Sequence, residues 1–319
     1  LLRIAKREMN SKVKGYLLGA AAAASYGTNP LFAMPLMQAG IDAYSVLFIR
    51  YLFAIPMLAL MMVARGRGFG LRRPQVLPLV ALGVAMALSS LTLYTSYLYL
   101  GTAIASTLLF IYPILVTVIM ALCFHERIRA VTVVCIVLAM SGIALLYRGD
   151  GGEVLSPIGL LLVFLSALSY AIYLVAVNGK RLREVPTLKL TLYVIFFGLF
   201  LFAFRFRPES IGMLQSQPTL WLYAFAIALF PTAVSLLCTS AAIGHIGSTP
   251  VAILGALEPV TAVAFAVTVF HEPMTMRLAV GMLLVILALT VIIAGGSINH
   301  QLLRIRRMFP SLRKRQSRQ

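Results

Sequence analysis

Gly101…Pro113…Phe124-His125-Glu126 returns 146 residues later as Gly247…Pro259…Phe270-His271-Glu272. The same offset pairs Ser89 with Ser235 and Leu108 with Leu254, and an offset of 144 pairs Gly15…Ser25-Tyr26 with Gly159…Ser169-Tyr170. The chain therefore reads as two copies of one unit, joined near residues 148–157. Each unit is too long for a solenoid repeat.

Composition places these copies in a membrane. Of 319 residues, 61% are hydrophobic and 11% are charged, against about 25% charged in a soluble domain. Apolar runs of about 20 residues recur, enough to cross a hydrocarbon core about 30 Å thick. The fold class expected is an all-α polytopic membrane protein. The net charge of +18 sits in short loops and tails rather than on one folded face. That distribution argues against nucleic acid and for topology signals and contact with anionic lipid headgroups. Cys123, Cys135 and Cys238 lie inside apolar runs and suit neither a disulfide framework nor a zinc site. The run Ala20–Ala24 follows a basic start, but the apolar stretch continues to Met37, so it reads as a first span rather than a cleavable signal.

Ten apolar segments are expected: roughly 15–37, 44–64, 76–98, 102–124, 131–147, 155–177, 188–206, 219–243, 249–270 and 276–295. With the N-terminus inside, inside segments carry 22 Lys and Arg residues, and outside segments only four, Arg148, Arg205, Arg207 and Arg277. This bias puts both termini in the cytoplasm. Five spans per copy is an odd number, so the second copy enters the membrane from the opposite side: an inverted-topology repeat. The expected organisation is a basic N-terminal segment (1–14), a first five-helix repeat (15–148), a second (155–296) and a basic tail (297–319) suited to anionic lipid.

Several of these stretches carry a family resemblance. Leu257-Glu258-Pro259-Val260 through Phe270-His271-Glu272-Pro273-Met274-Thr275 resembles the signature of the drug/metabolite transporter superfamily, EamA type, and Tyr112-Pro113 through His125-Glu126-Arg127-Ile128 is its first-copy counterpart. Arg50-Tyr51-Leu52-Phe53-Ala54 is similar to the family's second-span motif, and Ser25-Tyr26-Gly27-Thr28-Asn29 to its first-span motif. His in place of Gly before each corner Glu, and Tyr26 where Trp is common, depart from the pattern. The resemblance implies a ten-helix carrier that exports amino acids, other small metabolites or toxic compounds across the bacterial inner membrane.

Glu258 is the sharpest site candidate. Helix rise places it about 15 Å deep, near the bilayer midplane, where a carboxylate needs a partner or a water-filled cavity. Pro259 removes a helix hydrogen bond and is expected to free the carbonyl of Gly255. Tyr112-Pro113 holds the equivalent position in the first copy, so Pro113 and Pro259 are candidate hinges where broken helices of the repeats meet. Glu258 suits either a substrate-amine or proton-binding carboxylate, or a structural bond to neighbouring helices. Arg50, some 9 Å deep by the same rise, could meet an anionic group or a carboxylate. The preferred reading is structural, with the side chain snorkelling to the headgroups.

Span 3 carries a polar stripe, Ser89, Thr92, Ser96 and Tyr99, flanked by Ser90, Tyr94 and Tyr97. Span 8 carries Thr232, Ser235 and Thr239, and Tyr170, Tyr173 and Asn29 join the set more weakly. As a group these suit a cavity that binds by aromatic contact and hydroxyl hydrogen bonds. Taken singly, Ser and Thr in apolar helices more often bond back to their own carbonyls. Gly15, Gly19, Ala23 and Gly27 form a small-residue face, read as packing within one chain with a dimer as the alternative. His125-Glu126 and His271-Glu272 suit gate contacts or plain span ends.

The chain lacks a Gly-x-x-x-x-Gly-Lys-Ser/Thr phosphate cradle, a Thr-Val-Gly-Tyr-Gly filter and a His-Glu-x-x-His metal pair. No cofactor, metal or catalytic residue is expected. The sequence reads as a secondary carrier, favoured as a monomer, for a small-molecule substrate, most plausibly an amino acid. The alternatives are a broad drug or lipophile exporter, or a membrane-embedded enzyme or lipid scaffold.

Overall fold

In the computed structural model the described residues are 2–124, 137–138, 141, 155–177, 182, 184–246, 254–255, 257–276, 279–284 and 286–287. They are helical, with no strand among them. The helices are α1 (Leu2–Gly27), α2 (Asn29–Gln38), α3 (Ala43–Ala64), α4 (Arg73–Leu100), α5 (Thr102–Leu109) and α6 (Tyr112–Phe124) in the first half. The second half holds α7 (Pro157–Val177), α8 (Thr187–Ala203), α9 (Glu209–Ser216), α10 (Thr219–Ala228), a π-helical turn (Leu229–Val234), α11 (Ser235–Ile246) and α12 (Leu257–Thr268). Helices α3, α4 and α7, and the continuous stretch Thr219–Thr239, are long and apolar enough to cross a membrane. The expected fifth span falls almost wholly outside the described residues, as do the junction at 148–154, the His125-Glu126 corner, Cys135 and the basic tail. The expected tenth span is described only in part.

The expected first and fourth spans are each two helices. Span 1 breaks at Thr28, whose hydroxyl donates to Ser25 O at 2.6 Å, and Pro30 then starts α2. Pro is favoured there because its missing N–H would be unpaired at a helix start anyway. Span 4 breaks between Leu109 and Tyr112, where Phe110 and Ile111 N–H turn back to Thr107 and Leu108 carbonyls. In span 9, α12 begins at Leu257, with Glu258 N–H donating to Gly255 O at 2.9 Å. That bond corrects one expectation: the Gly255 carbonyl is not left free by Pro259. Pro113 and Pro259 do not bend helix interiors; each stands in the first turn of a new helix.

Helix pairing follows the sequence repeat. α4 packs on α7 as α11 packs on α1, and these are equivalent pairs in the two copies. The self-equivalent pairs α3·α8 and α5·α12 also pack together. α3 and α8 run antiparallel. The start of α3 meets the residues after α8, through Phe48–Phe206 at 4.5 Å and Arg207 N–H to Ser45 Oγ at 3.2 Å. The loop after α3 meets the start of α8, where Lys189 Nζ donates to Gly70 O at 2.7 Å and Tyr193 OH donates to Phe69 O. Repeat-equivalent helices lying side by side in opposite senses are what inversion of the two copies requires.

Without a hydrophobic gain between helices in lipid, small residues set their approach. A Cβ on Gly83 would lie 2.9 Å from both Gly198 N and Val194 O, so α4 and α8 cross backbone against backbone. The Gly15–Gly27 face is likewise spent inside the chain: Gly15 lies against Ile246, Gly19 against Leu254, and Gly27 against Thr261 and the Glu258 carbonyl. These contacts match the packing reading of that face.

Candidate functional site

The breaks converge on the centre of the molecule. Gly27, the last residue of α1, lets that helix approach the Glu258 backbone at the start of α12. Two residues on, Asn29 opens α2 and is 4% exposed. Its Oδ1 accepts from Arg50 Nη1 at 3.0 Å and from Tyr94 OH at 2.7 Å. Arg50 Nη1 also donates to Tyr94 OH at 3.0 Å, and Nε donates to Thr232 Oγ1 at 3.2 Å. Thr232 sits on the π-helical turn next to Pro231. That proline has no N–H for the Ile227 carbonyl, and the Thr232 hydroxyl donates to it at 3.3 Å.

Three elements, α2, α4 and the π-turn, thus clasp the guanidinium that α3 carries. Arg50 is 5% exposed and does not snorkel, which corrects that expectation. The physical reason is local: three polar side chains satisfy Nε and Nη1 where they stand, so leaving them for the headgroups would strand buried polar groups. Nη2 has no hydrogen-bond partner among the described residues, and Arg50 lines a central cavity.

Two small cavities of about 20 and 30 Å³ meet around Tyr26, Asn29, Leu93, Leu109 and Glu258. The first is lined further by Arg50, Ser89, Ser90, Tyr94, Tyr112 and Tyr170; the second by Tyr97, Ser106, Phe110 and Pro259. Each has room for a water or two, since one water needs about 10–15 Å³. The Glu258 carboxylate makes no ion pair or hydrogen bond to a described side chain; the one ion pair among the described residues is Arg72–Glu184 at the surface. Glu258 and Arg50 therefore face shared space without pairing. Around them Tyr112 meets Tyr170 edge-on at 4.8 Å, Tyr170 stacks on Tyr173 at 5.9 Å, and Tyr94 tilts over Tyr97 at 5.7 Å.

Of the residues singled out in the sequence, Glu258, Arg50, Asn29, Ser89, Ser90, Tyr94, Tyr97, Tyr112, Tyr170 and Pro259 line these cavities. Others do not. Tyr99 is 48% exposed and points away, because it lies two residues past Tyr97, on another face of α4. Thr92 bonds back to Leu88 O at 2.9 Å, and Ser96 to Leu93 O at 2.6 Å. On span 8, Ser235 is buried and Thr239 half-buried, neither among the lining residues. Thr232, one turn earlier, reaches the centre instead. Ser89 is shared with the opposite repeat: its hydroxyl lies 3.2 Å from that of Ser166.

Sequence reasoning passed over Tyr26, Leu109 and Ser106. Tyr26 stood inside a quoted motif without a role. Ser106 follows Thr102 by four residues on α5, a spacing that would have marked a polar face. Its Oγ is buried, and it makes no hydrogen bond of normal geometry among the described residues.

Glu272, at the far end of span 9, has a separate task. It accepts from Thr102 N–H at 2.9 Å, Thr102 Oγ1 at 2.6 Å and Ala103 N–H at 3.1 Å. These are unpaired groups at the start of α5, and a carboxylate there also complements the positive end of the helix. The second copy thereby caps the first, so Glu272 is more than a plain span end.

The comparisons with known proteins agree with this architecture. The EamA-like transporter family matches residues 13–148 and again 157–294. The uncharacterized transporter YvbV of Bacillus subtilis (strain 168) is 26% identical over 265 residues, 81% of this chain and 86% of that one. A protein known from a crystal structure shares the fold, with a TM-score of 0.59 and 20% identity, over 87% of this chain and 95% of that one. The two matched repeats span most of the chain: it belongs to the EamA-like transporter family and is a membrane transporter of the drug/metabolite type.

Proposed function

We propose that the chain is a secondary carrier that exports a small zwitterionic metabolite, an amino acid with an apolar or aromatic side chain. The observation that carries this reading is the placement of opposite, unpaired charges around one cavity. Glu258 offers a carboxylate for an ammonium, and Arg50 Nη2 offers donors for a carboxylate, with neither spent on the other. Tyr26, Tyr97, Tyr112 and Tyr170 supply the aromatic wall. A neutral lipophile would leave the buried Arg50 charge without a counter-charge, at a cost of several kcal/mol.

The cavity is too small to hold such a substrate as it stands, so binding requires the halves to separate. The broken helices permit this, because the site lies at the starts of α2, α6 and α12. Alternating access then follows from rocking one repeat against the other. In the absence of substrate, Glu258 takes up a proton as the ammonium surrogate, and this couples export to inward proton flow. The test is a solute screen in proteoliposomes. Saturable counterflow of neutral amino acids supports the proposal; no counterflow with any amino acid, alongside flux of lipophilic cations, contradicts it.

A further inference from the structure

A larger space lies at the opposite face from the Arg72–Glu184 pair, away from the central site. It measures about 330 Å³ and is lined by Met37, Gly40, Ile41, Asp42, Ala43, Tyr44, Thr95, Leu98, Arg205 and Arg207. In the loop after α8, Phe206 packs onto Phe48 while its neighbours Arg205 and Arg207 are exposed. Arg205 is held over the Tyr44 ring at 5.1 Å, a cation–π contact. The Arg207 N–H donates to Ser45 Oγ at 3.2 Å, and Ser45 Oγ donates to Asp42 Oδ1 at 2.7 Å.

Asp42 is the one acid in this wall, and both its oxygens are engaged: Oδ2 accepts the Tyr44 N–H at 3.1 Å as the N-cap of α3. Neither arginine lies in an ion pair among the described residues. The space therefore joins two guanidinium groups, against one carboxylate, to an apolar wall. Leu98, 64% exposed, continues that wall toward the lipid side of α4, and Phe204, 88% exposed, stands beside the arginines.

We propose that this crevice is a binding site for the phosphate of an anionic membrane phospholipid, with its acyl chain along Leu98 and Met37. Guanidinium groups recognise phosphate in a bidentate manner, and the apolar wall favours a tailed ligand over a free ion. The site is distinct from the substrate cavity: the two share no lining residue. A lipid there would brace the loop after α8 against the start of α3, tying the two repeats together at one face.

The test uses the full chain purified in a neutral detergent. Thermal unfolding is followed while phosphatidylglycerol, phosphatidylcholine or inorganic phosphate is titrated in. Phosphatidylglycerol should protect best, because the choline cation opposes the two arginines. The double variant Arg205→Gln/Arg207→Gln should bind phosphatidylglycerol at least about tenfold more weakly. The charge-keeping Arg205→Lys/Arg207→Lys variant should recover part of that loss, which separates a lost site from a damaged fold. Equal protection of wild type and the Gln variant would place the lipid elsewhere, on the basic tail for example, and overturn the proposal. Protection by inorganic phosphate alone would also overturn it, in favour of a site for free anions.

Discussion

Arg50 and Asn29, 21 residues apart on consecutive spans, are joined by an Nη1–Oδ1 hydrogen bond of 3.0 Å at the centre of the molecule. The bond ties the break in the first span to the one guanidinium buried among the described residues. Asn29→Ala removes the acceptor of both Arg50 and Tyr94 and leaves those donors short of a partner. It should destabilise the fold by roughly 1–3 kcal/mol, read as a lower unfolding temperature in a fixed detergent. Arg50→Lys keeps the charge but loses the planar fork that reaches three partners at once. Transport by Arg50→Lys should fall at least about tenfold; unchanged flux would show that the fork is not needed.

Much of this was legible in the sequence, and the limits have a physical reason. The repeat, the apolar spans and the lone midplane carboxylate are local patterns, readable from spacing and hydropathy. Arg50 was visible as an intramembrane charge, but its partner Thr232 lies 182 residues away, and no local pattern encodes a contact of that range. The snorkelling expectation failed for that reason. The same holds for Glu272, whose cap on α5 crosses 170 residues. The polar stripe of span 3 misled at Tyr99 because a 3–4 spacing marks a face without saying where that face ends.

Glu272 should matter for stability before it matters for binding. Glu272→Ala strips the acceptor from three donors at the start of α5, at a cost of about 0.5–2 kcal/mol, the range for helix caps. Amide exchange at Thr102 and Ala103 should quicken in this variant, while exchange in α3 stays as in the wild type. Glu272→Gln keeps one acceptor oxygen and should fall between.

The α4–α8 crossing predicts a steric effect with an internal control. Gly83→Ala drives a methyl into the Gly198 and Val194 backbone and should cost about 1–3 kcal/mol. Gly68→Ala meets nothing within 4 Å and should stay within about 0.5 kcal/mol of the wild type. Melting the two variants side by side checks both.

The two tyrosines near the end of α4 separate cavity lining from lipid exposure. Tyr97 is 4% exposed and lines the cavity at Glu258; Tyr99 is 48% exposed. Tyr97→Phe should change the apparent affinity for substrate several-fold, and Tyr99→Phe should leave it unaltered. Counterflow kinetics of the two proteins make the comparison.

The most direct measurement concerns Glu258 and the two ends of the substrate. Proteoliposomes are loaded with the best amino acid from the screen, and counterflow is challenged with the intact compound, its N-acetyl derivative and its carboxamide. In the wild type, only the intact zwitterion should compete well. In Glu258→Gln, discrimination against the N-acetyl derivative should collapse while discrimination against the carboxamide persists, and a proton gradient should no longer drive flux. If the N-acetyl derivative competes equally with the intact compound in the wild type, or if Glu258→Gln keeps both its discrimination and its gradient dependence, Glu258 does not bind the amine and the account of the site is wrong.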